Sequence, residues 1–217
     1  IEKAYIVYSP DLAVPSALNV IKQFVVEAKK QGLRRVVLLS QRGQENAYAC
    51  ENIIKESGLE WTILRPSWFA QNFSEGAYLD GVLHGQIVAP TNGAPEPFVD
   101  LDDVADVALA ALIEDGHNKE IYEITGPESL TWDSAVDAIA KTSGRTIKFN
   151  ACTRAEFADL LSSIGLAENE AGLFAGLLAD GLDGRNSDVS DGLKRALGRQ
   201  PKSFTQFAVE AKAQGCW

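Results

Sequence analysis

A doubly wound parallel α/β sheet is predicted by three features of this chain. Short apolar runs such as Val36 to Leu39 alternate with segments whose apolar residues recur at helical spacing. The changes between them are punctuated by short turns that carry glycine. One run, Trp61 to Leu64, stops at Arg65-Pro66 and opens directly into an aromatic and amide cluster, Trp68, Phe69, Gln71, Asn72 and Phe73. Continuous apolar runs suit strands buried on both faces, which is the condition of a parallel sheet.

The elements follow in order. Ala4 to Tyr8 predicts a strand that enters a loop carrying Pro10 and Pro15. Ser16 to Gln31 predicts a helix on the spacing of Leu18, Ile21, Val25 and Ala28, stopped by Gly32. Val36 to Leu39 predicts a strand ending at Ser40. Gln44 to Ser57 predicts a helix with Ala47, Cys50, Ile53 and Ile54 inward, closed by Gly58. The Trp61 run is the third strand. Strand, helix, strand, helix, strand with short turns is the βαβ rhythm, with right-handed crossovers.

Beyond the cluster, Ser74 to Leu83 predicts a helix and Gln86 to Ala89 a short extended segment. PTNGAPEP is a surface loop by its turn residues. Phe98-Val99 is brief and extended. Asp100 or Asp102 is placed to cap a helix from Asp103 to Glu114. Ile121 to Thr125 predicts a strand, Thr131 the cap of a helix to Ser143, and Thr146 to Phe149 a last strand. Helices then dominate, near Ala155 to Ser163, Glu168 to Leu182 and Phe204 to Gln214. The domain reading is a sheet domain over 1–150 and a smaller, mostly helical C-terminal lobe over 151–217.

Composition excludes several function classes. Net charge is -10, from 30 acidic against 20 basic residues, which argues against nucleic acid as a partner. No apolar run reaches the length of a membrane span, and the first residues lack the pattern of a signal peptide. Cys50, Cys152 and Cys216 are few and far apart, as expected of a reduced cytoplasmic protein. No metal site is expected, since His84 and His117 are isolated and no Cys stands at ligand spacing. The chain starts at Ile1 and contains no Met, which predicts that the natural protein is longer and that methionine positions are missing here. An intact mass of 23.4 kDa would count against that expectation.

The end of a parallel strand is where open α/β sheets hold ligands. Trp68 and Phe69 therefore read as pocket lining, the alternative being plain packing under a loop. A dinucleotide site also needs a strand, a Gly-rich turn and a helix whose N-terminus meets the pyrophosphate. No such element is found here: TNGAPEP and LDGRNSD lack that context and read as turns. A preceding N-terminal part is the expected place for it.

The order VVLLS, ESGLEWTILRP, SWFAQNF, PFVDLDDVADVALAAL and YEITGPESLTWDSAVDAIAKTSGR resembles the NmrA-like proteins. These are atypical short-chain dehydrogenase/reductase relatives with a Rossmann fold that bind NAD(P). The resemblance extends over nearly the whole chain. LDGRNSDVSDGLKRALGR resembles the C-terminal part of a bacterial subgroup. It implies a cofactor, NADP or NAD, without choosing between them. It implies that Ser9 and Pro10 lie along the cofactor, that Ser40 lies near the nicotinamide ribose, and that Pro66, Ser67, Trp68 and Phe69 touch the nicotinamide end. Trp68, Phe69, Asn72, Phe73 and Phe98 would line the substrate side. Ser40 reads equally as a plain strand end, and Pro66 also as a helix-start proline.

The departures matter as much. The Tyr-x-x-x-Lys pair of short-chain dehydrogenases is not matched, because Tyr48 is followed four positions on by Asn52. Tyr48 reads as a partly exposed helix tyrosine, and no catalytic residue is assigned. Asp102, Asp103 and Asp106 read as helix-capping groups rather than paired catalytic carboxylates.

Two functions follow. One is an NAD(P)H-dependent oxidoreductase that reduces a small conjugated acceptor such as a quinone or a dye. The other is an NAD(P)-binding redox sensor or regulatory protein without turnover. Leu173, Phe174, Leu177 and Leu178 read as lobe core, with a homodimer or partner surface as the alternative.

Overall fold

The computed structural model describes residues 1–217. In chain order its elements begin with β1 (Lys3–Ile6), α1 (Ala17–Lys30), β2 (Arg35–Leu39), α2 (Glu45–Lys55) and β3 (Glu60–Pro66). A 3₁₀ turn (Ala70–Phe73), α3 (Leu79–His84), β4 (Gln86–Ala89), α4 (Leu101–Ile113) and β5 (Glu120–Ile124) follow. The chain ends with α5 (Trp132–Ser143), β6 (Lys148–Ala151), α6 (Arg154–Ser163), α7 (Glu168–Gly181), α8 (Gly192–Leu197) and α9 (Phe204–Ala213).

Packing groups these elements into two compact units that interleave along the chain. One holds residues 1–67, 101–125 and 190–201; the other holds 68–100, 126–189 and 202–217. This partition and a consecutive one at residue 150 divide the chain differently, because residues 68–100 and 126–150 join the C-terminal helices in the second unit while α8 belongs to the first.

The first unit is a four-stranded parallel sheet in the order β1-β2-β3-β5. Val36, Val37 and Leu38 are successive and fully buried, so β2 is covered on both faces. Ala17, Ile21, Val25 and Ala28 form the buried stripe of α1 at the expected period. Thr62, buried in β3, satisfies its hydroxyl by donating to the His117 carbonyl at 2.7 Å.

The second unit pairs β4 with β6 in parallel and fills its core with rings. Phe73 is fully buried there, with the rings of Tyr78, Phe98, Trp132 and Phe204 at centroid distances of 5.6, 5.7, 5.5 and 5.8 Å. The Trp217 indole donates to the Phe73 carbonyl at 2.8 Å and ties down the C-terminal segment. Thr131 caps α5 as expected, its hydroxyl accepting from the Ser134 N–H at 3.2 Å.

Three expectations need correction. A helix over Ser74 to Leu83 does not form; a 3₁₀ turn ends at Phe73 and α3 begins only at Leu79. The chain folds back sharply between them, with the Tyr78 N–H on the Asn72 carbonyl, and a Cβ at Gly76 would lie 2.8 Å from Asn72. The last strand runs from Lys148 to Ala151, two residues later than its apolar pattern suggests. Glu51 replaces Ile53 on the buried stripe of α2, for a reason that lies at the strand ends.

Candidate functional site

All strands of a parallel sheet end on the same side, so their following residues share one edge. β1 leads into Val7 and on to Ser9 and Pro10, which are exposed and joined by a cis peptide bond. β2 leads into Ser40, β3 ends at Pro66 and leads into Ser67, and β5 leads into Thr125. The first unit thus gathers five of the residues expected to meet a cofactor, Ser9, Pro10, Ser40, Pro66 and Ser67, along its carboxyl edge. Backbone bonds fix two of them, Ser40 N–H to the Leu64 carbonyl at 2.7 Å and Ser67 N–H to the Ile124 carbonyl at 2.9 Å.

Directly behind Ser40 lies a fully buried carboxylate, Glu51. Its Oε1 accepts from Ser40 Oγ at 2.7 Å and from Arg65 Nε at 2.8 Å. Its Oε2 accepts from Arg65 Nη2 at 2.6 Å and from Lys55 Nζ at 3.2 Å. Burial alone would raise this carboxyl, but hydrogen bonds from Arg65 and Ser40 and the Arg65 charge outweigh it and hold it below its ordinary 4.5. The same Glu51 contact raises Arg65. Arg65 also reaches Glu123, its register partner on β5, at 3.5 Å, and Glu123 takes Arg42 at 3.3 Å.

Neither Glu51 nor Arg65 was singled out from the sequence. The signal was present: positions 47, 50, 51 and 54 share one helical face, and the sole charge on it needs a buried partner. An arginine at the end of the neighbouring strand supplies one.

Tyr48 sits half-buried on α2. Its hydroxyl accepts from the Gly43 N–H at 2.7 Å, and the Arg65 guanidinium lies 4.2 Å from its ring centroid. Asn52, four positions on, is exposed. Asp103 and Asp106 both grip Arg199, at 2.6 and 2.5 Å, which gives them an ion-pair role in the first unit.

The residues expected on the acceptor side belong to the second unit. Trp68 and Phe69 are half-buried. The Trp68 N–H donates to the buried Glu96 carboxylate at 3.2 Å, and Phe69 is bridged to Val99. Asn72 is half-buried at the 3₁₀ turn. Phe73 and Phe98, expected to line the substrate side, are instead sealed in the aromatic core of the second unit at 0% and 2% exposure. Leu173 and Phe174 are exposed on α7, while Leu177 and Leu178 are half-buried and Leu178 packs on the core.

A family model described as NAD(P)H-binding matches residues 2–115. The uncharacterized oxidoreductase YesF of Bacillus subtilis (strain 168) is 32% identical over 192 residues, covering 86% of this chain and 66% of that protein. The chain therefore spans just under two thirds of that relative's length. Among solved structures, the NADPH-dependent quinone oxidoreductase QOR2 of Escherichia coli, complexed with NADPH, matches with a TM-score of 0.81 at 21% identity. That match covers 97% of this chain and 76% of QOR2. NmrA, a negative transcriptional regulator in complex with NAD, matches with a TM-score of 0.68 at 16% identity over 99% of this chain and 76% of its own. The fold is thus Rossmann-like, and the expected cofactor class, NADP or NAD, agrees with the family description. No helix is long and apolar enough to cross a membrane.

Proposed function

Because this chain belongs to the NAD(P)H-binding family, we propose that it serves an NAD(P)H-dependent oxidoreductase acting on a small conjugated acceptor of the quinone or dye kind. The observation that carries this reading is the carboxyl edge of the parallel sheet, which aligns Ser9-Pro10, Ser40 and Pro66-Ser67 where open α/β sheets hold ligands. The fit is to the nicotinamide half of the cofactor. Hydroxyl and backbone groups stand there on fixed strand ends, suited to a ribose and a carboxamide. Among residues 1–217 no strand, Gly-rich turn and helix forms a cradle for the pyrophosphate.

When bound, a reduced nicotinamide supplies a hydride. The work of this chain's residues is then binding and orientation. Ser40 and Ser67 fix the ribose side from rigid strand ends. Trp68 and Phe69 offer flat apolar surface to a conjugated acceptor, and Asn72 offers an amide that donates or accepts a hydrogen bond. A quinone that has taken the hydride needs one proton, which water supplies, so the lack of a lysine beside Tyr48 is no obstacle.

The test is steady-state oxidation of NADH and NADPH by the natural gene product with a panel of quinones and dyes. Turnover above the uncatalysed background supports the reading. Saturable cofactor binding without turnover of any acceptor rejects the enzyme and leaves the redox-sensor reading in its place.

A further inference from the structure

We propose that Glu51 sets the hydrogen-bonding polarity of Ser40, making its hydroxyl an acceptor for a donor group on the nicotinamide side of the cofactor. That donor is a ribose hydroxyl or the carboxamide N–H. The inference rests on the reading of the sheet edge as the cofactor site.

A serine hydroxyl has one proton to give and two lone pairs to offer. The Ser40 Oγ lies 2.7 Å from Glu51 Oε1, inside the first unit. An ionised carboxylate only accepts. Glu51 is kept ionised by the two-point contact with Arg65 and by Lys55, and its depressed pKa agrees with that geometry. The direction of the Ser40 bond is therefore fixed: the proton goes inward, to the carboxylate. Ser40 is 5% exposed, and what its hydroxyl has left to offer at the end of β2 is a lone pair, made more basic by the anion behind it. Its backbone cannot turn away, because its N–H is held by Leu64. Glu51 is on this account a positioning residue, acting through Ser40.

Glu51→Gln reverses the polarity. The Oε2 position faces two cationic donors, Arg65 Nη2 and Lys55 Nζ, against one, Arg65 Nε, at Oε1, so the amide oxygen takes the Oε2 side and the Arg65 Nε contact is given up. The amide nitrogen then faces Ser40 and donates to it, and the Ser40 proton swings outward. A ligand donor would meet a donor.

The experiment measures NADH and NADPH dissociation constants by tryptophan fluorescence for the natural gene product, Ser40→Ala, Glu51→Gln and the double variant. Ser40→Ala is expected to weaken binding about 3- to 10-fold, the size of one hydrogen bond. Glu51→Gln is expected to weaken it by at least as much, and the double variant no further than Ser40→Ala alone. A carboxylate that only holds the fold together would give independent, additive effects, and that result overturns the inference. So does wild-type affinity in Ser40→Ala. Should Glu51→Gln fail to fold, Ser40→Ala decides with a second ligand, the 3-acetylpyridine analogue of NADH, which lacks the amide N–H. Loss for NADH alone assigns the carboxamide as donor; equal loss for both assigns the ribose hydroxyl; no loss for either overturns the inference. A wild-type protein that binds neither nucleotide overturns the cofactor reading itself, and this inference with it.

Discussion

Arg65 and Glu51 meet through two parallel hydrogen bonds, Nε to Oε1 at 2.8 Å and Nη2 to Oε2 at 2.6 Å. One group stands next to the last residue of β3 and the other is fully buried on α2. Such fork-to-fork pairs are the stronger class of ion pair, and their loss is felt because Arg65, only 17% exposed, is left with the longer 3.5 Å contact to Glu123. Glu51→Ala is therefore expected to cost about 3–5 kcal/mol, measured by urea unfolding at pH 7. A cost under about 1 kcal/mol would show that Arg65 finds solvent once its partner is gone.

The same pair sets an acid limit. The folded-state pKa of Glu51 lies below its ordinary 4.5, so its contribution to stability is fully present above that value. It is lost as pH falls through the folded pKa. The stability gap between the wild type and Glu51→Gln should be wide and flat from pH 6 to 8 and should close below pH 4.5. A gap that holds steady down to pH 3 contradicts the assignment.

Phe73 and Trp68 lie five residues apart in one motif but should answer differently to truncation. Phe73 is closed in by four rings, and Phe73→Ala should cost about 3–5 kcal/mol with the cavity it leaves. Trp68 is half-buried, so Trp68→Ala should cost roughly half as much and leave a folded protein. Its effect should fall on the KM for the acceptor in the quinone assay. An unchanged KM would remove Trp68 from the acceptor surface.

Gly192 marks a close approach. A Cβ there would overlap the Glu123 carbonyl oxygen on β5. Ser190 pins the same place, its N–H donating to Thr125 Oγ1 and its hydroxyl to the Glu123 carbonyl. Gly192→Ala must push the start of α8 off the strand and should cost several kcal/mol, about the range of overpacking. Gly198→Ala, which has open space and only a positive φ against it, should cost about 1 kcal/mol. Equal melting temperatures for the two variants would refute the close approach.

The strands and main helices were legible because their burial is periodic. Val36 to Leu38 and the Ile21, Val25, Ala28 stripe can only bury in one way. The interleaving of the two units was not legible. A helix of six residues that starts at a glycine, α8, leaves no periodic trace, and its place on β5 depends on a backbone approach that no side-chain pattern encodes. Of the site, Ser40 and Pro66-Ser67 were readable as strand ends. Glu51 was hidden because a charge on a helix reads as solvated until its partner, fourteen residues on, is known to lie beside it. Phe73 and Phe98 were read as lining because sequence gives no measure of how completely neighbouring rings enclose them.

Trp132 packs edge-on against Tyr78 at 5.0 Å and Phe98 at 5.4 Å, and its indole N–H is buried without a hydrogen-bond partner. A buried donor left unpaired costs about 1–3 kcal/mol. Trp132→Phe removes that donor and also part of the ring's buried area, a loss of about 1–2 kcal/mol on the scale of apolar burial. The two changes have opposite sign and similar size, so the variant should unfold within about 1 kcal/mol of the wild type. Trp132→Ala removes the same donor but forfeits nearly all of the side chain's burial and leaves a cavity, so the loss dominates and should be about 3–5 kcal/mol. Urea unfolding of both variants checks this. If Trp132→Phe costs about 3 kcal/mol or more, the indole N–H is bonded in solution, and a water molecule held inside the aromatic core becomes the explanation.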